Sequence, residues 1–181
     1  MGTMSSGHPS TIVTTCFGGE SDRGAKPCSP ALSSSCGSTG MGLEELAEAE
    51  SASLIVFGSD YRTPPGHAEP STSAQRLLEI GATGIAVAAA GLRAKPDSAI
   101  GSIAVIASAG DDSAQQTADA LAQALGAQIA GPEATVADLI VAGSQPGVPV
   151  GRIGLSGSAR TALDASLGSV LVVPSGKPVL L

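Results

Sequence analysis

Apolar runs and amphipathic stretches alternate along most of the chain. LIVFG (Leu54–Gly58), IGSIAVIAS (Ile100–Ser108) and LIVAG (Leu139–Gly143) are nearly uninterrupted apolar runs, which are typical of strands buried on both faces of a parallel sheet. The stretch Asp111–Ala127 instead repeats apolar residues at helical spacing, in a stripe formed by Ala118, Leu121, Ala122 and Leu125. This alternation predicts an α/β fold: an open, mostly parallel sheet with flanking helices, as in Rossmann-like and flavodoxin-like proteins.

Small and polar residues mark the ends of the predicted elements. The residues at 111–113 can cap the helix that follows them, and Gly126 suits its C-terminal end. Gly168 stands where a second, short helix would end, and SVLVVP then predicts a strand that Pro174 terminates. Residues 98–181 are therefore predicted to run strand, helix, strand, turn, strand, loop, helix and strand.

Residues 54–91 and 139–176 resemble each other without a gap at an offset of 85 residues. They share 13 identities in 38 positions, and both run from an apolar strand through a loop to a short helix and a second strand. The similarity predicts two repeated half-units with parallel strands. It divides the chain into an irregular or disordered segment (1–41) with one short strand in TIVTTCF, a degenerate, truncated first unit (42–95) and a shortened second unit (98–181).

Charge and composition argue against several classes of partner. The 181 residues include nine basic and 16 acidic ones, a formal net charge of -7, with no cluster of Lys and Arg. We therefore expect no nucleic-acid binding, which depends on clustered positive charge. The apolar runs are shorter than a membrane span of about 20 residues, and no signal peptide is recognisable. A cytoplasmic location without membrane association is expected.

Cysteine and histidine residues show no pattern typical of a site. Cys16, Cys28 and Cys36 form no C-x-x-C pair, and neither His8 nor His67 has metal-ligand spacing to them, so we expect no metal site. No Ser–His–Asp set is recognisable either. We predict no catalytic residues and no enzymatic activity, although slow ATP hydrolysis could occur without a dedicated base.

The segment GSQPGVPVGRIGLSGS (Gly143–Ser158) holds five glycines and two prolines between a predicted strand and a predicted helix. One interpretation is a long turn, in which the glycines serve the backbone and Ser156 or Ser158 caps the helix. The other is a phosphate cradle. Glycines let backbone amides approach a phosphate, a helix start favours an anion, and Arg152 and Arg160 supply positive charge.

The segment ADLIVAGSQPGVPVGRIGLSGSARTALDASLGSVLVVPSG resembles the C-terminal signature of the universal stress protein family. The ATP-binding members of that family carry G-x2-G-x9-G-(S/T). Here three residues separate Gly143 from Gly147, one more than in the signature, whereas the nine-residue spacing to Gly157 holds and Ser158 follows. Tandem arrangements are familiar in the family, and the resemblance covers most of residues 42–181.

The resemblance implies a stress-response protein that binds ATP or another adenine nucleotide and forms a homodimer through its C-terminal strand. The nucleotide-binding residues that it implies are Gly143, Ser144, Gly147, Arg152, Gly154, Gly157, Ser158 and Ser108. Ser108 stands where the family's aspartate is expected, and Asp111 is the carboxylate that a shifted turn would bring in.

Departures from the family pattern leave a second function open. The second unit lacks a strand and helix between AQIAG and ADLIV, and the first unit has Thr72 in place of the Gly157 equivalent. The alternative is a nucleotide-free interaction protein that pairs with another chain at the C-terminal sheet edge. Ordered amides facing a cavity favour the first function, whereas a collapsed loop, or Pro146 and Val148 in the cavity, favour the second. A third interpretation is a marginally folded fragment.

Overall fold

The computed structural model describes residues 11–15, 39–94, 99–131, 136–165 and 167–180. Four α-helices lie in these ranges: α1 (Thr39–Ala49), α2 (Thr72–Ile80), α3 (Ser113–Leu125) and α4 (Gly157–Ala165). A short 3-10 helix covers Leu92–Ala94. The strands are β1 (Thr11–Thr15), β2 (Ala52–Gly58), β3 (Gly84–Ala88), β4 (Ser102–Ile106), β5 (Gln128–Ile129), β6 (Val136–Gly143) and β7 (Leu167–Val173). Among the described helices, none has the length and apolar character needed to cross a bilayer.

The described strands form one sheet in the order β1-β2-β3-β7-β6-β4-β5. Neighbouring strands are parallel except β3 and β7, which pair antiparallel. One helix lies between β2 and β3 in the chain and another between β6 and β7, because parallel strands need a crossover connection. The molecule is therefore an α/β protein with a mostly parallel sheet, and this confirms the predicted fold class.

Side chains on the central strands alternate between the two faces of the sheet. On one face, Ile140 and Val172 pack with apolar residues of α1, α2 and α4. On the other face, Val141 and Leu171 pack with α3 and with Val179 of the C-terminal segment. Burial on both faces explains why these strands are continuous apolar runs in the sequence.

The two halves of the sheet have matching positions. Helices α2 and α4 are both nine residues long and begin 85 positions apart, at Thr72 and Gly157. At the antiparallel junction, Ala86 pairs with Leu171, which is the residue 85 positions later. The junction therefore lies on an approximate two-fold axis that relates β1-β2-β3 to β4-β6-β7.

The segment predicted to be irregular contains an ordered strand. Thr11–Thr15 forms β1 and pairs parallel with β2, which confirms the short strand expected in TIVTTCF. Helix α1 begins at Thr39 within the same predicted segment. Residues 1–10 and 16–38 lie outside the described residues, as does most of the turn predicted at PEATV.

Two expectations about the last strand are wrong. Gly168 does not cap α4: it lies inside β7 with φ 128°, where a Cβ would overlap the carbonyl oxygen of Ala137. Glycine is required there by close contact between strands. The C-terminal strand is also not a sheet edge, because β3 and β6 pair with its two sides. The final KPVLL, apart from Leu181, which is not described, adds no strand.

Candidate functional site

The glycine-rich loop leaves the sheet where β4 and β6 end side by side. Ile106 pairs with Ala142, so Gly143 comes next to the turn that follows β4. A Cβ at Gly143 would lie 3.5 Å from the Cβ of Ser108 and 3.4 Å from that of Ala114. The structure thus brings together two predicted site residues, Gly143 and Ser108, at the carboxyl edge of the sheet, where open parallel sheets bind ligands.

The side chain of Ser144 is turned into the loop. Its hydroxyl donates to the carbonyl oxygen of Val173 at 2.9 Å, lies 3.3 Å from that of Arg152, and accepts from the N–H of Gly154 at 3.3 Å. The residue is only 1% exposed. In this conformation any ligand contact at Ser144 would have to use its backbone.

The same network occurs in the first half. Ser59, 85 positions earlier, donates to the carbonyl oxygen of Ala88 at 2.6 Å and accepts from the N–H of Glu69 at 3.0 Å. Gly66 and its counterpart Gly151 have φ values of 89° and 80°. The first-half loop has the same hydrogen bonds without the glycine spacing of a phosphate loop. We therefore attribute this network to loop architecture.

Residues 145–154 close on themselves. The N–H of Gln145 donates to the carbonyl oxygen of Gly154 at 2.7 Å. A Cβ on Gly154 would lie 2.6 Å from Cγ2 of Val148, so the valine side chain covers this glycine. Gly147 has φ 87°, which explains glycine at that turn. This part of the loop is therefore collapsed, as expected for a nucleotide-free interaction protein.

Arg152 contacts the first half of the molecule. Its guanidinium donates to the carbonyl oxygen of Ile80 at 3.0 Å and pairs with Glu44 at 3.3 Å. The adjacent N–H of Ile153 donates to the carbonyl oxygen of Gly81 at 2.8 Å. Arg152 therefore connects the loop to α1 and to the end of α2. Its guanidinium, for which the sequence predicts a phosphate partner, is bound to these protein groups instead.

The start of α4 is the open part of the loop. The Oγ of Ser156 accepts from the N–H of Ala159 at 3.1 Å and lies 3.0 Å from the Oγ of Ser158. No described residue accepts a hydrogen bond from the amides of residues 155–158. A Cβ at Gly157 would meet no atom within 4 Å, and its φ is not positive. The first turn of α4 therefore presents amides and two hydroxyls to open space.

Asp111 joins the turn after β4 to the turn after β7. Its carboxylate accepts from the N–H of Ser113 at 2.9 Å and from the N–H of Gly176 at 3.1 Å, and its backbone bridges Ser108. Partial burial raises the pKa of Asp111, but hydrogen bonds from Ser113, Gly176 and Ser175 outweigh burial and lower the pKa below its ordinary value. The side chain of Asp111 thus lies at the edge of the sheet where the parallel strands end, and it is hydrogen-bonded to the turn that follows β7.

Five chains among the solved structures are similar to this protein, including two from Pseudomonas aeruginosa. One is the crystal structure of a candidate universal stress protein from Pseudomonas aeruginosa UCBPP-PA14, 14% identical with a TM-score of 0.49, over 75% of this chain and 68% of that chain. The other is a protein of unknown function from Pseudomonas aeruginosa PAO1, 17% identical with a TM-score of 0.48, over 75% of this chain and 67% of that chain. No family model and no curated protein matches the sequence.

Proposed function

We propose that this is a stress-response protein of the universal stress protein type, which binds the phosphate groups of ATP or another adenine nucleotide at the start of α4. The observation that carries the proposal is Gly157, because neither its backbone conformation nor its packing requires glycine. Its counterpart in the first half is Thr72, so a helix start of this kind accepts a side chain. A glycine that the fold does not need allows a ligand to approach the backbone closely.

Electrostatics at this end of α4 favour an anion. The amides of residues 155–158 have no acceptor among the described residues, and the helix dipole places partial positive charge on them. The hydroxyls of Ser156 and Ser158 are hydrogen-bonded to each other at 3.0 Å, which leaves one hydroxyl proton of the pair to donate to a ligand. Gly143 and Ser108 lie at the same edge of the sheet, toward which the rest of a nucleotide would extend. The proposed role is binding, without a catalytic step.

The test is isothermal titration calorimetry with ATP on wild type, Gly157→Glu and Thr72→Glu. A carboxylate at position 157 would stand among the free amides, so we expect ATP affinity to fall at least about tenfold. Thr72→Glu adds the same charge at the equivalent helix start of the first half and should leave the affinity unchanged. Circular dichroism checks that both variants fold. The proposal fails if folded wild type does not bind ATP, or if both variants bind it equally well.

A nucleotide-free interaction protein is the second candidate, and the closed conformation of residues 145–154 favours it. Because β7 is paired on both sides, a partner strand would have to add at β1 or β5, the outer strands of the described sheet. β5 has only two residues, and Ile129 in it is 40% exposed. A homodimer in sedimentation analysis that Ile129→Lys dissociates would support pairing at this edge. A wild type that stays monomeric would reject it.

A further inference from the structure

A cavity of about 300 Å³ lies between α2 and α4, above the antiparallel β3–β7 junction. Its apolar lining comes from three valines and three leucines: Val87, Val170, Val172, Leu78, Leu155 and Leu163. The approximate two-fold axis passes through this junction, so both halves contribute to the cavity. The volume is at the lower end of the range for small-molecule sites, about 300–1,000 Å³.

The rim of the cavity carries charges of both signs. Arg160 and Asp164 lie one helical turn apart on α4, and Glu69 lies on the first-half loop. Glu69 already accepts a hydrogen bond from Thr63 at 3.0 Å. Within the described residues, the side chains of Arg160 and Asp164 join no ion pair and no hydrogen bond, although residues four apart on a helix can pair. An available cation and an available anion thus border one apolar cavity.

We propose that this cavity binds a free apolar α-amino acid of about the size of leucine. The guanidinium of Arg160 takes the ligand carboxylate, for which its planar donors are suited, and Asp164 takes the ligand ammonium. The ligand side chain lies against Leu155 and Val170, which line the cavity above the buried Val87 and Val172. A fatty acid would pair with Arg160 but bring its own negative charge beside Asp164. An apolar amine would pair with Asp164 but bring its own positive charge beside Arg160.

The two halves carry different residues at the rim, so the ligand has one preferred orientation. The positions that correspond to Arg160 and Asp164 in the first half are Gln75 and Glu79, so only α4 supplies a cation. The amide of Gln75 is already used, because it donates to the carbonyl oxygen of Pro70 at 3.1 Å. The ligand carboxylate is therefore directed to α4. The inference does not depend on nucleotide binding.

The experiment is calorimetric titration of the full chain with L-leucine, 4-methylpentanoate and 3-methylbutylamine. The last two have the same apolar group but lack the ammonium or the carboxylate. We expect leucine to bind at least about tenfold more tightly than either analogue. Folded wild type that shows no binding at about 10 mM leucine, or that binds an analogue as tightly as leucine, overturns the proposal.

Two rim variants assign the binding to this cavity. Arg160→Gln introduces the residue found at the equivalent position 75 and should lower leucine affinity about tenfold while leaving the amine unaffected or bound more tightly. Asp164→Asn should lower leucine affinity while leaving 4-methylpentanoate unaffected or bound more tightly. Asp119→Asn removes the same charge from α3 and serves as the matched control. If both rim variants bind leucine as the control does, the ligand sits elsewhere and the proposal is wrong.

Discussion

The hydroxyl of Ser144 stabilises the loop through partners that are distant in sequence. We expect Ser144→Ala to lower the free energy of unfolding by about 1–3 kcal/mol, because the carbonyl of Val173 and the N–H of Gly154 lose a buried partner. Urea denaturation followed by circular dichroism measures the change. Ser158→Ala removes an exposed hydroxyl and should change stability by about 0.5 kcal/mol or less. Equal effects of the two substitutions would contradict the structural role of Ser144.

Substitution by alanine should have a large effect on stability at Gly168 and a small one at Gly157. At Gly168 a Cβ would overlap the carbonyl oxygen of Ala137 and φ is 128°, so Gly168→Ala should destabilise the protein by more than about 2 kcal/mol or prevent folding. At Gly157 the space is open, so Gly157→Ala should change stability by about 1 kcal/mol or less. Thermal unfolding of both variants provides the comparison. A large loss of stability for Gly157→Ala would mean that this glycine is needed by the fold and would remove the argument for a ligand.

Single residues were predictable where their role is local. Gly126 ends α3 with φ 66°, as the sequence pattern indicates. The roles of Ser144 and Arg152 were not predictable from the sequence, because the same Gly-Ser spacing occurs in a simple turn and in a phosphate site. Only the fold shows that the carbonyl of Ile80 and the carboxylate of Glu44 reach Arg152.

At the scale of elements, the strand–loop–helix–strand units were predictable because their apolar runs and helical stripes are continuous. The β2–β3 and β6–β7 pairs are parallel, as predicted. The antiparallel β3–β7 pair was not foreseen, since an apolar strand carries no local signal of its neighbour. The hydrogen bond from Gly176 to Asp111 joins residues 65 positions apart and is equally invisible in local sequence.

This contact between two loops gives a pH prediction. The lowered pKa of Asp111 means that its contribution to stability is fully present above the unfolded pKa of about 3.9 and is lost as the pH falls through the folded value. Asp111→Asn should therefore be less stable than wild type at neutral pH, and the difference should shrink below about pH 4. Urea titrations across this range measure it. Asp112→Asn is the control, since Asp112 makes no capping hydrogen bond through its side chain. A difference independent of pH would contradict the assigned hydrogen bonds.

At the scale of the whole molecule, one sheet joins both halves, so we expect them to unfold as a single unit. Val172 is fully buried beside the junction, and Val172→Ala should lower stability by about 1–3 kcal/mol. Hydrogen exchange followed by mass spectrometry should show equal losses of protection in β2 of the first half and β6 of the second. Loss confined to β6 would mean that the halves open independently.

The place of β7 in the middle of the sheet has a consequence for synthesis on the ribosome. The first-half strands emerge early, yet β3 cannot gain its second neighbour until Leu167–Val173 has been translated. Until then the nascent chain carries an unpaired strand edge at Gly84–Ala88, with Ile85 and Val87 lacking the cover they have in the finished protein. A chain that stops before Leu167 would lack only β7 of the described strands, and it would have unpaired edges at both β3 and β6. We therefore expect such a truncated chain to aggregate.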